Sequence, residues 1–65
     1  MNVILNGQSE TIKALTLSEL CKTFQDDPMT IATAVNGNFV SVGERDALKL
    51  KEGDRIEILS PRQGG

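Results

Sequence analysis

Histidine, tryptophan and tyrosine are absent from this 65-residue chain, and cysteine occurs once, at Cys21. Without imidazole there is no ready general base near neutral pH and no Cys–His pair. A single thiol forms no internal disulfide and no zinc cluster of the usual spacings. Two phenylalanines offer no stacking platform for bases, and no basic run is present. With a net charge of −2 and a pI near 4.9, nucleic acid is set aside as a natural partner. No apolar stretch approaches the ~18 residues that would span a bilayer. The opening Met1-Asn2-Val3-Ile4-Leu5 is not a signal-peptide pattern. The glycines match neither a dinucleotide fingerprint nor a phosphate loop. These absences lead to the expectation of a cytoplasmic protein, a monomer alone, with no catalytic residues, no metal site and no membrane contact.

What is present suits one small folded domain. Apolar residues make up 38% of the chain and charged residues 25%, a balance of globular rather than disordered sequences. At this size a domain buries only about 60% of its unfolded surface. Val3-Ile4-Leu5-Asn6 reads as a first strand, Gly7-Gln8 as a turn, and Thr11-Ile12-Lys13 as part of a returning strand. Thr16-Leu17-Ser18-Glu19 fits a capping box, with Thr16 at N-cap and Glu19 at N3, each serving the other's backbone donor. Leu15 and Leu20 are spaced for a hydrophobic staple. Leu17, Leu20, Cys21 and Phe24 then fall on one stripe of a short helix, which Pro28 is expected to stop.

Cys21 lies on that stripe, where a small buried hydrophobe is its ordinary role. Asp26-Asp27 read as solvated acids of an exit loop rather than a metal pair. Ile31–Val35 and Phe39–Val42 form a second hairpin around Asn36-Gly37-Asn38, because Asn-Gly supplies the positive φ that tight turns need. Residues 43–50 fit a loop, a helical turn or a minor strand. Lys51-Glu52-Gly53-Asp54 turns into a last strand, Arg55-Ile56-Glu57-Ile58-Leu59.

The order β-β-α-β-β-irregular-β predicts an α+β fold, a mixed sheet with one helix across a single face. Val3, Leu5, Ile56 and Ile58 would face the helix, leaving Ile4 and Leu59 on the opposite face. With the first and last strands adjacent, Ile4 and Leu59 would stand close together as a docking patch.

Past the last strand, Pro61 cannot donate a ladder bond. This predicts a domain over 1–60 and a flexible, extended tail over 61–65. Stretched out, the tail reaches roughly 16 Å. Its end is Gly64-Gly65, a pairing that average glycine usage would place there by chance about once in two hundred chains. Glycine has no Cβ, so a terminal carboxylate on it passes through a narrow channel to meet a bulky reagent.

The Val35-Asn36-Gly37-Asn38-Phe39-Val40 turn, the Gly53-Asp54-Arg55-Ile56-Glu57-Ile58-Leu59 strand and the Gly64-Gly65 terminus resemble the bacterial sulfur carriers with the ubiquitin-like β-grasp fold. Within that group the chain is most similar to the ThiS-type carriers of thiamine biosynthesis, along essentially its whole length. The resemblance implies that the Gly65 carboxylate is the reactive group, with Gly64 allowing close backbone approach. A ThiF-like adenylyltransferase would use ATP to form an acyl-adenylate. A cysteine desulfurase or rhodanese-type donor would then supply sulfur, making a thiocarboxylate for a ThiG-like thiazole synthase. Arg62 and Gln63 are candidate contacts to the activating enzyme, and no cofactor is bound by the chain itself. Two readings share the terminus, a carrier for another pathway such as molybdopterin synthesis and a ubiquitin-like modifier of lysines. A β-grasp module without acyl chemistry is the remaining alternative.

Overall fold

The structure, a computed structural model, describes residues 1–60. It contains five strands, β1 Asn2–Leu5, β2 Gln8–Thr11, β3 Ala32–Val35, β4 Asn38–Val40 and β5 Arg55–Leu59. One helix, α1 Leu17–Lys22, and two 3₁₀ turns, Pro28–Thr30 and Val42–Glu44, complete the elements. The strands form one mixed sheet in the order β2-β1-β5-β3-β4. β5 is central, parallel to β1 and antiparallel to β3. The expected adjacency of first and last strands is therefore present, as is the α+β architecture.

Both hairpins close through two-residue Asn-Gly turns. Asn6 and Gly7 have φ of 50° and 83°, and Asn36 and Gly37 have 53° and 85°. Those paired positive values let the strands keep their native twist across a two-residue loop. The first turn is thus Asn6-Gly7 rather than Gly7-Gln8, and Gln8 pairs with Leu5 inside β2. The return strand ends at Thr11, earlier than Thr11-Ile12-Lys13 suggested. All four β2 residues are exposed, so no apolar alternation marks its limits. The second turn spends only two residues, so Asn38 joins β4 while Ser41 and Val42 leave it for the second 3₁₀ turn.

Helix α1 begins where its cap directs. Thr16 Oγ1 accepts the Glu19 N–H at 3.2 Å. The Glu19 carboxylate reaches the N–H of Leu15 at 2.8 Å rather than that of Thr16. Leu15 is exposed, so the staple with Leu20 is not closed, and Ala14 packs against the core instead. The helix ends at Lys22, well short of Pro28. Its last turn tightens as Thr23 and Phe24 donate to Leu20 and Cys21. Pro28 opens a 3₁₀ turn, capped by Asp27 Oδ1 on Met29 N–H at 2.9 Å.

The core lies between α1 and one sheet face, where Leu17, Leu20 and Cys21 meet Val3, Val35, Val40, Ile56 and Ile58. Leu5 is only half-buried at its rim. Residues 43–50 resolve into the second 3₁₀ turn followed by a segment laid along the helix start. Leu17 and Ser18 donate to the carbonyls of Leu48 and Arg45, and Leu50 donates to Leu15. Donors orphaned at the helix N-terminus are thereby satisfied.

Candidate functional site

The face of the sheet turned away from α1 carries the exposed side chains of β5, Arg55, Glu57 and Leu59. Strand alternation puts them there, since Ile56 and Ile58 take the inward positions. On β3 the outward residues are Ala32 and Ala34. Ala32 stands opposite Leu59, while Ala34 stands between Phe39 on β4 and Glu57 on β5. Two small side chains flanked by large ones leave a trough of about 120 Å³. Leu59 and Phe39, 64% and 71% exposed, form its walls. The strand that forms one wall is also the strand that leads to Gly64-Gly65.

Ile4 shares this face but not this trough. It pairs with Arg55 at the start of β5, whereas Leu59 ends the strand beside Ala32. Four residues at ~3.3 Å each separate them by about 13 Å along the strand. The expected side-by-side pair is therefore corrected, because parallel pairing of β1 begins at Arg55 and not at Leu59. Phe39 is the large apolar side chain that lines the trough with Leu59. Its signal was available in β4, where the buried Val40 forces the preceding side chain outward. Arg62, Gln63, Gly64 and Gly65, with the whole 61–65 tail, lie outside the described residues.

Cys21 is buried in the core. Burial pushes its thiol above the ordinary value, opposed in part by the Arg45 charge, so the nucleophilic thiolate is disfavoured. Among the described residues no group of three or more Cys, Asp or Glu could hold a metal ion. No helix among them is long and apolar enough to cross a membrane.

Two features escaped the sequence reading. Arg45 is only 3% exposed, yet carries a full charge. Its guanidinium donates to Thr33 Oγ1 at 3.2 Å and to the carbonyls of Pro28 and Ile31 at 2.7 Å each. Thr33 in turn donates to the Val40 carbonyl at 2.7 Å. Nothing in the ambiguous 43–50 stretch marks this residue as internal. The second feature is Asn6, whose side chain bonds the backbone of Ile58 through both amide atoms.

A five-strand mixed sheet crossed by one helix, with its central strand leading to the chain end, defines a ubiquitin-like β-grasp domain. A crystal structure of the thiamine biosynthesis protein ThiS from Geobacter metallireducens superposes with a TM-score of 0.82 at 26% identity, covering 92% of this chain and 93% of that one. A solution NMR structure of a thiamine biosynthesis protein from the same organism gives 0.77 at 27% identity, covering 91% and 81%. No curated protein matches the chain. The family model of the ThiS family matches residues 3–65, and the chain belongs to that family. Membership supports a sulfur-carrier role.

Proposed function

We propose that this chain is a sulfur carrier for thiamine biosynthesis, a protein cosubstrate whose Gly65 carboxylate is the group acted upon. The observation that carries this reading is the family match, which runs through residue 65 and so includes Gly64-Gly65. A carboxylate is a poor electrophile. In a ThiF-like adenylyltransferase, its oxygen attacks the α-phosphorus of ATP and pyrophosphate leaves, giving an acyl-adenylate. The terminal sulfur of a persulfide on a cysteine desulfurase or rhodanese-type donor then attacks the acyl carbon, and AMP departs. A thiol cleaves the resulting acyl disulfide, releasing the thiocarboxylate and a disulfide. The thiocarboxylate sulfur is the nucleophile delivered to a ThiG-like thiazole synthase. The tetrahedral centres of these steps form in a partner site that excludes water. Glycine at positions 64 and 65 leaves them uncrowded.

Leu59 is assigned to docking on the activating enzyme, with Phe39 across the trough, and Arg62 and Gln63 are assigned as further contacts. The apolar wall is continuous with the strand that delivers the terminus, so one partner surface can engage both. Ile4, at the far end of β5, contributes at the margin.

Intact mass after incubation with ATP, the activating enzyme and a sulfur donor tests the reading. A gain matching one oxygen-for-sulfur exchange at the terminus is expected. No gain with a competent cognate system overturns it, and conjugation to protein lysines would favour a modifier instead.

A further inference from the structure

Both hairpin asparagines grip the central strand, from opposite flanks and at opposite ends. At the exit of β5, the Ile58 N–H donates to Asn6 Oδ1 at 2.8 Å, and Asn6 Nδ2 donates to the Ile58 carbonyl at 3.2 Å. At the entry, the Arg55 N–H donates to Asn36 Oδ1 at 3.0 Å, and the Asn36 N–H donates to the Arg55 carbonyl at 2.7 Å. Backbone pairing between β1 and β5 reaches its last bond where the Asn6 N–H meets the Ile56 carbonyl at 2.8 Å. One rung further, a parallel ladder needs an acceptor for the Ile58 N–H and a donor for its carbonyl. The main chain has already turned away at Gly7. A carboxamide presents an acceptor and a donor side by side, and asparagine also tolerates the positive φ that the turn imposes. Asn6 therefore supplies the missing rung with its side chain.

We propose that Asn6 is a positioning residue. By holding both backbone groups of Ile58, it sets the direction in which β5 leaves the sheet and hence where the following residues meet the activating enzyme. The role rests on the reading of Gly65 as the adenylated group. Asn36, at the entry of β5 and far from that exit, holds the Arg55 N–H with its side chain while its Nδ2 donates to Asp54 Oδ1 at 3.1 Å, and serves as the control.

Glycine keeps the positive φ at either position and removes only the carboxamide. Asn6→Gly and Asn36→Gly, made in the full chain, are compared by ATP–pyrophosphate exchange with the cognate adenylating enzyme across a range of carrier concentrations. Amide hydrogen exchange by NMR is followed alongside. Each variant is expected to speed exchange of the amide its side chain held, Ile58 in one and Arg55 in the other. Only Asn6→Gly is expected to lower kcat, by about 10-fold with KM within about twofold, because the docking face is intact and only the delivered geometry is loosened. Asn6→Asp retains the acceptor, loses the donor and should fall between. It carries the comparison if Asn6→Gly does not fold at the assay temperature. Equal kcat for the Asn6 and Asn36 variants, with Ile58 exchange accelerated, overturns the positioning role alone. Absence of exchange activity with the unaltered chain overturns both that role and the adenylation reading beneath it.

Discussion

Arg45 shows how much one side chain can contribute in a domain this small. Its guanidinium fork meets a hydroxyl and two carbonyls, all within residues 28–33 and more than ten residues away in sequence. It therefore ties the segment after β4 to the 3₁₀ turn and the start of β3. Truncation leaves acceptors buried without donors, at roughly 1–3 kcal/mol each. Arg45→Ala is expected to lose about 3 kcal/mol in urea denaturation, a large share of the stability a small core supplies. Arg45→Lys should recover only part of it, because an ammonium lacks the planar fork. Cys21 makes a separate prediction. Its folded thiol titrates above the ordinary value of 9.0, so above that pH the unfolded chain releases its proton first. Stability from this group is complete below about pH 9 and is lost as pH rises through the folded value. Cys21→Ala should be less stable overall, yet show a shallower alkaline decline in a pH series of thermal melts.

At the scale of elements, the start of α1 illustrates a signal written locally and completed from a distance. Thr16 caps the Glu19 N–H, as the Thr-x-x-Glu spacing predicts. The N–H groups of Leu17 and Ser18 instead depend on carbonyls roughly thirty residues away in sequence, those of Leu48 and Arg45. Thr16→Ala should cost about 1 kcal/mol by urea denaturation. Asn36-Gly37 was legible as a turn because positive φ at two successive positions strongly restricts residue choice. β2 was only partly legible, since four exposed polar residues show no period. Residues 43–50 were not legible as an element because their own backbone bonds are single turns, Ala47 N–H to the Glu44 carbonyl and Leu48 N–H to that of Arg45, while their longer-range pairing is with the helix start. Only Thr16 and Lys49 there form even an isolated bridge.

For the molecule as a whole, the proposed function turns on one sheet face and the strand that crosses it. Placing β5 at the centre gives it neighbours on both flanks, so the strand leading to the tail is firmly held. The trough beside Leu59 exists because β3 offers alanines where β4 and β5 offer large side chains. Leu59→Asp should weaken binding to the activating enzyme about 10-fold by calorimetry, the loss of one buried leucine. Its exposure predicts an unchanged fold by circular dichroism. Ile4→Asp should weaken binding far less, since Ile4 is 36% exposed and stands beside Arg55, away from the exit. Equal losses from the two variants would move the docking surface from the trough to the whole face.

The sequence by itself determined the Asn36-Gly37 turn, the capped start of the helix, the inward residues of β5 and the family motif at the end. Each of these depends on residues within a few positions of one another, where backbone geometry restricts the choice of side chain. Only the tertiary structure decided that Leu59 lines a trough with Phe39 rather than Ile4, that Arg45 is internal, and that Asn6 bonds Ile58. Those relations depend on register between strands distant in sequence, which burial of the whole sheet selects and no local spacing encodes.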